Sequence, residues 1–341
     1  AVLLNLLVNY MMAVNRERKT RIVDNTYPTT VLLQARVLEA DVYQMSCDVE
    51  FTIRWLATYR LINNTYICPK CGNDCSLVKY AAGIDSCRWM CYKPCNVTKS
   101  IRDGSYFAKS HLSLRQILML TYKWCTLYPA SSIVREVLLD DTKTVIHWEN
   151  ICREICTNWL RNNPPSLGGL DPITLISKVV EIDEFNLIGS KYHRVRQFPQ
   201  QWVFGAVERG NSSNMFMECV ASRDAATLIP IIEEKIQAGT IIVSDMWVAY
   251  NDLGNSQNGY DHVTVDHSQN FVDPNDRDVH MQTIFGMWSR AKRRLKNKKI
   301  TSQQLLQSYL DEFQWRIRND TFRDAKVFVK FLIAINERYR I

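Results

Sequence analysis

Two short runs of β-branched residues constrain this chain more than any other feature. Val179-Val180-Glu181-Ile182-Asp183-Glu184 and Thr240-Ile241-Ile242-Val243-Ser244-Asp245 each lead through Val and Ile to a carboxylate. Branched side chains lose freedom in a helix and fit the pleated surface of a buried strand. An Asp that closes such a strand lies at the edge of its sheet. Two of them, distant in sequence but neighbours in one sheet, present the oxygen ligands that a hard divalent cation requires. Paired metal ions on carboxylates carry phosphodiester chemistry. The runs therefore predict a sheet with an acidic site at one edge and a nucleic acid as the substrate class.

The neighbouring pattern extends the sheet. Strands are predicted over 178–184, 201–208, 215–221, 240–245 and 262–266, with Gly210-Asn211-Ser212-Ser213 as the turn between the second and third. Ser222 or Asp224 opens a helix that runs to Gln237, and Gly239 stops it. A short helix is predicted over 247–253 and a final helical stretch over 280–299. Three strands joined by hairpins, followed by alternation, predict a mixed α/β sheet with helices on both faces. This order matches the ribonuclease-H-like fold, in which the first and fourth strands are adjacent. Asp183 and Asp245 would then meet.

Ahead of this region, Asn162-Asn163-Pro164-Pro165-Ser166-Leu167-Gly168-Gly169 reads as a linker and a domain boundary. Upstream, six of the eleven cysteines crowd between Cys68 and Cys95. An odd total and local clustering argue against a disulfide framework and for a metal in a reducing compartment. Cys68 with Cys71 and Cys91 with Cys95 supply the four thiolates of a structural Zn²⁺. Gly72 gives the first pair its tight turn, and Cys75 and Cys87 are alternates. The competing reading is a set of reduced cysteines in a small core. Helices follow over 112–122, with Ser110 or Ser113 as cap, 131–138, and 143–160, capped by Asp140-Asp141-Thr142. They read as a helix-turn-helix module with Lys143, Thr144, His147 and Trp148 toward DNA, or as a plain helical linker. A further helix is predicted over 40–61. The expected organisation is 1–66, an N-terminal helical segment; 67–108, a zinc ribbon; 109–163, the helix-turn-helix-like module; 170–319, the α/β domain; and 320–341, a helical tail.

Residues 1–13 are apolar and precede Arg16-Glu17-Arg18-Lys19. A signal peptide has the opposite charge order, and the run is too short to span a bilayer. A fragment or gene-model artefact is expected there, with Met11 or Met12 as the start. No membrane segment is expected anywhere. The net charge of +7 is compatible with a nucleic-acid partner. Arg290, Lys292, Arg293, Arg294, Lys296, Lys298 and Lys299 fall within ten residues, either as a solvated face or as a phosphate-binding one. Their place directly after the presumed active-site helix favours the phosphate reading.

Several stretches in one order resemble the Merlin-type transposases and their bacterial insertion-sequence relatives. They are Ile182-Asp183-Glu184, Lys191-Tyr192-His193-Arg194, Gln201-Trp202-Val203-Phe204-Gly205, and Ser244-Asp245-Met246-Trp247-Val248-Ala249-Tyr250. His267-Ser268-Gln269-Asn270-Phe271-Val272, Gly286-Met287-Trp288-Ser289 with Lys292-Arg293, and residues 306–315 complete the run. The resemblance implies a ribonuclease-H-like domain in which two Asp and a Glu bind two Mg²⁺ (or Mn²⁺) ions. By matching position the Asp residues are Asp183 and Asp245. The Glu falls at Phe285, and the Asn of the same motif falls at Gln282. Val195 stands where the family has Gly.

Phe cannot coordinate a hard cation. The expectation is a transposase-derived DNA-binding protein with impaired catalysis, decayed or domesticated. The alternatives are an active enzyme that cuts and joins DNA ends, and a pseudogene product with neither role. Lys292, Arg293, Arg294, Lys191 and Arg194 are the expected DNA contacts beside Lys143 and His147. Trp202, Trp247 and Trp288 are expected in the core, and His267 and His280 near the site in hydrogen-bonding roles. The resemblance further implies a homodimer and, from a DNA substrate, a nuclear location.

Overall fold

Short polar residues set the boundaries of the first helices. The predicted helix over 40–61 is two helices, α1 (Glu39–Met45) and α2 (Val49–Thr58). The Ser46 hydroxyl donates back to the carbonyls of Val42 and Tyr43, and Asp48 accepts from the Phe51 N–H to start α2. Apolar spacing carries on through the break, which is why periodicity alone reads one helix.

The structure, a computed structural model, describes residues 19–186, 201–265, 280–296, 298–320 and 324–341. It divides into two compact units, Ala1–Ile155 with Arg323–Ile341, and Cys156–Phe322. The expected N-terminal start falls outside the described residues.

In the first unit, β1 (Ser76–Lys79), β2 (Cys87–Cys91) and β3 (Val97–Ser100) form an antiparallel sheet. Beyond it Arg102, almost wholly buried, donates to both oxygens of Asp85 and to the Leu112 carbonyl. Three helices follow: α3 (Leu114–Cys125), α4 (Ala130–Val137) and α5 (Thr142–Asn162). Ser113, not Ser110, caps α3, in a reciprocal box with Gln116. Asp141 accepts from the Thr144 N–H at the start of α5.

The second unit holds β4 (Leu167–Gly168), β5 (Val179–Asn186), β6 (Trp202–Glu208), β7 (Asn211–Val220), helix α6 (Ala225–Lys235), β8 (Ile236–Gln237), β9 (Ile241–Asp245) and β10 (Asp261–Val265). The helices α7 (Gln282–Leu295) and α8 (Gln303–Arg318) complete it, and α9 (Val327–Tyr339) lies in the first unit. Among the described residues, five strands form one mixed sheet in the order β10-β9-β5-β6-β7. β5 runs parallel to β9 and antiparallel to β6, and β6 antiparallel to β7. The predicted helix over 247–253 is instead two 3₁₀ turns, Val248–Tyr250 and Leu253–Asn255. The Pro-Gly stretch is tied down: Leu167 is fully buried and β4 pairs in parallel with β8. Gly168 is required there, because its φ is +76° and a Cβ would lie 2.1 Å from Thr240 Oγ1.

The two faces of the sheet bury different partners. Phe185, Val203 and Val243 face α7 and α8, whereas Val180, Ile182 and Phe204 face α6 and Tyr250. Alternation along β5 therefore sends Asp183 toward the α7 side and Glu184 toward the other.

Candidate functional site

Parallel pairing brings the two aspartates level. Val179 pairs with Ile241 and Glu181 with Val243. Continuing that register by two residues sets Asp183 beside Asp245, at the carboxyl ends of adjacent strands. Asp183 Oδ2 accepts from Trp288 Nε1 at 2.8 Å, and Asp245 Oδ1 from the Trp247 N–H at 3.0 Å. Burial pushes Asp183 up to about 7; Glu184 and Asp245 add to the rise, and the Trp288 N–H opposes it. A desolvated carboxylate beside a second acid lacks a counter-cation. Carboxylate oxygens at two adjacent strand ends are the hard donors that a divalent cation takes.

Trp288 reaches Asp183 across a glycine. Gly205 stands opposite Asp183 in the β5–β6 register, and a Cβ there would come within 2.4 Å of Trp288 Cη2. The indole also packs on Phe185, with centroids 4.3 Å apart. Trp288 is thus buried as expected, with a polar role that the sequence did not announce. Lys292, one turn further, is exposed and holds its ammonium 4.8 Å from the Phe185 ring centroid.

Glu181, wholly buried, anchors the start of α7. It accepts from the Ile284 N–H at 2.9 Å, Thr283 Oγ1 at 2.8 Å and Arg209 Nε at 3.0 Å. His280 Nδ1 accepts from the Gln282 N–H at 3.3 Å and lies 3.4 Å from the same carboxylate. Sequence reasoning missed this role. The one signal was a Glu among apolar residues in a strand, which a buried site must pair.

Phe285 sits on α7, half-buried against the same core. Its spacing of three from Trp288 and seven from Lys292 puts all three on one helix face. Glu184 does not share the face of Asp183. It faces the other side of the sheet, and its Oε1 takes the Tyr250 hydroxyl. Burial raises Glu184, with Asp245 adding and the Tyr250 hydrogen bond opposing.

The expected DNA contacts differ in exposure. Lys292 and Arg293 are exposed, whereas Arg294 is half-buried and donates to Glu312 at 2.8 Å. Lys143 and His147 are exposed one turn apart on α5. Trp148 is corrected: it is 3% exposed and packs edge-on against Tyr106, so it cannot face DNA. Lys191, Arg194, Val195 and His267 lie outside the described residues.

The Sγ atoms of Cys68, Cys71, Cys91 and Cys95 all lie within 4.8 Å of one another. Those of Cys71 and Cys91 are 3.7 Å apart, which suits a tetrahedral Zn²⁺ with Zn–S bonds of about 2.3 Å. The four thiols fit a zinc ion; Cys75 and Cys87 are not among them. Burial opposes ionisation of Cys68, but the N–H groups of Lys70 and Cys71 and the thiols of Cys71 and Cys91 bring it down to about 6. Gly72, with φ +74°, makes the turn, and its N–H donates to the Cys68 carbonyl. Among the described residues this is the one group of three or more His, Cys, Asp or Glu placed to hold a metal.

The fold and site define a mixed α/β protein with a paired-carboxylate edge and a separate four-thiol cluster. Residues 176–318 match the ISXO2-like transposase domain. An uncharacterized transposase-like protein of Haemophilus influenzae is 28% identical over 114 residues, covering 33% of this chain and 89% of that protein. An uncharacterized protein in transposable element ISH50 of Halobacterium salinarum is 24% identical over 286 residues, 79% of this chain and 90% of its own. Together these likenesses support a transposase of the bacterial insertion-sequence type. The expected nuclear location is thereby corrected, because these relatives come from a bacterium and an archaeon, cells without a nucleus. No helix among the described residues is long and apolar enough to cross a membrane.

Proposed function

We propose that the chain is a DNA-binding transposase with a ribonuclease-H-like core, in which Phe285 impairs strand cleavage. The observation that carries this reading is the level placement of Asp183 and Asp245 on adjacent parallel strands. The strand order, with the first strand between the second and the fourth, supports the ribonuclease-H-like assignment. Asp183 and Asp245 would hold Mg²⁺ or Mn²⁺, which when bound activates the attacking oxygen and stabilises the leaving one. Trp288 fixes the plane of the Asp183 carboxylate, and Glu181 fixes the helix that carries Trp288. Lys292 and Arg293 meet phosphate beside the acid pair, and Lys143 and His147 meet DNA from the helical module. Cys68, Cys71, Cys91 and Cys95 hold Zn²⁺ as a structural ribbon, with all four positions filled by thiolate. We further propose the five-part division at 66/67, 108/109, 163/170 and 319/320, and a homodimer. The Merlin-type and domesticated readings rest on the motif run and on Phe285.

The test is Mg²⁺- or Mn²⁺-dependent nicking of supercoiled DNA by the parent chain and by Phe285→Glu. Cutting by the variant alone is the expected result. Parent cleavage that Asp183→Ala abolishes overturns the impairment and shows that another group completes the site.

A further inference from the structure

Arg223 is held in an unusual way. Its guanidinium carbon lies 3.9 Å from the centroid of the Trp202 ring and 4.2 Å from that of Trp247. Trp247 is pinned in turn, because its Nε1 donates to the Arg223 carbonyl at 2.9 Å. Trp202 and Trp247 are half-buried, as is Arg223 itself. Most half-buried arginines are oriented by carboxylates or carbonyls that take their N–H groups. No acceptor for those groups appears among the described residues, and the ring contacts are what orient this one. Asp224, the adjacent acid, is occupied: it accepts from Ser222 Oγ and caps α6 at the Thr227 N–H.

The position matters as much as the geometry. Trp202 begins β6 opposite Asn186, the last residue of β5, and opposite Val220, the last of β7. Trp247 follows Asp245 by two residues and donates its backbone N–H to that carboxylate. Arg223 is therefore at the same sheet edge as the acid pair, and its charge acts on Glu184, opposing the rise that burial causes there. The Lys292 ammonium lies on the α7 face of the sheet. Arg223 belongs with the Trp247 side.

A guanidinium held by stacking keeps its N–H edge clear of any acceptor among the described residues. Five N–H donors in a fixed plane match the oxygens of a phosphate two at a time. Stacking also removes much of the side-chain freedom that an exposed arginine loses on binding. We propose that Arg223, clamped between Trp202 and Trp247, is a preformed fork for a backbone phosphate of the DNA strand held at Asp183 and Asp245. This inference rests on the transposase reading above and names a binding residue for that site. Met246 and Val248, both well exposed on either side of Trp247, give the fork an apolar border suited to sugar and base faces.

The experiment uses the full zinc-loaded chain and a short fluorescein-labelled duplex, without added Mg²⁺ or Mn²⁺ and without chelator, at a series of KCl concentrations, read by anisotropy. Arg223→Gln should lower the slope of log Kd against log salt by about 0.9, the value of one phosphate contact. Near 0.1 M salt the affinity should fall on the order of tenfold by the same relation. Arg223→Lys keeps the charge and loses the fork. It should retain the parent slope while binding more weakly. Parent-like slope and affinity in Arg223→Gln, with an unchanged melting temperature, would overturn the proposal and leave Arg223 as a packing residue. A slope loss as large in Arg223→Lys as in Arg223→Gln would also overturn it, because disruption of the indole pair would then explain both. If the parent chain itself does not bind the duplex, the transposase reading fails and this inference with it. Parent binding that ignores Arg223 sinks this inference alone.

Discussion

At the scale of single residues, the candidate site depends on what is missing from Gly205. The indole of Trp288 occupies the space where a side chain would be, and that lets Nε1 reach Asp183. Adding one methyl at 205 sets a Cβ 2.4 Å from Trp288 Cη2 and 2.8 Å from the Phe216 carbonyl oxygen. The carbonyl belongs to the neighbouring strand and has little room to yield, so the ring must move. Gly205→Ala should destabilise the second unit by about 1–3 kcal/mol, the usual cost of overpacking. It should also release Asp183 from its donor and weaken Mg²⁺-dependent protection. Urea melts with and without Mg²⁺ measure both; equal midpoints for parent and variant would show that the ring accommodates the methyl. The sequence showed the Gly and the Trp as parts of separate motifs. Nothing local could show that one is small so that the other can pass over it.

At the scale of elements, α8 does more than cover apolar surface. β7 is an edge strand, with backbone groups that no sixth strand among the described residues takes up. Gln314 Oε1 accepts from the Met217 N–H at 2.9 Å and Gln307 Oε1 from the Cys219 N–H at 2.8 Å. Both amides donate back to the Met217 carbonyl, at 3.0 and 3.3 Å. Two glutamines two turns apart on the helix thus stand in for a neighbouring strand, which blunts an edge that would otherwise invite pairing with another chain. Gln314→Leu keeps the bulk and leaves the Met217 N–H without an acceptor in a buried place. A loss of about 1–3 kcal/mol is expected. Aggregation on mild heating should also rise, which light scattering during a thermal ramp would detect. A variant as stable and as soluble as the parent would mean that the helix shields the edge by bulk alone. The legible part at this scale was the strands themselves, since β-branched runs and a Gly turn mark them locally. The division of 40–61 into α1 and α2 was missed because Ser46 and Asp48 act through side-chain hydrogen bonds that an apolar period does not register. The role of Glu181 was missed for a related reason: its partners, Arg209, Thr283 and Ile284, lie on other elements.

For the molecule as a whole, buried carboxylates of opposite tendency predict the response to pH. Glu312 is buried between Arg294 and Arg316, and although burial opposes its charge, their attraction holds it down at about 2. A folded value below the unfolded one near 4.5 contributes stability at higher pH. That contribution, about 3 kcal/mol, is lost as pH falls from 4.5 toward 2. Asp183 behaves in the opposite sense. Its folded value of about 7 lies above the unfolded 3.8, so the native state holds the proton longer, and stability falls as pH rises through this window. Glu184 and Asp311 are raised by burial as well and act in the same direction. Without added divalent cation, stability should therefore peak on the acid side of neutrality rather than at it. A divalent cation at Asp183 and Asp245 supplies the missing countercharge, so Mg²⁺ should recover stability mainly above pH 7 and move the maximum toward neutrality. Urea midpoints across pH 3–9, without and with added Mg²⁺ and with no chelator, give both curves. Asp183→Asn should flatten the decline above pH 5 without added Mg²⁺ and remove most of the Mg²⁺ effect, while Glu312→Gln should flatten only the acid limb. A maximum at neutral pH without added divalent cation, unmoved by Mg²⁺, would mean that the acid pair carries its charge without help and is not a metal site.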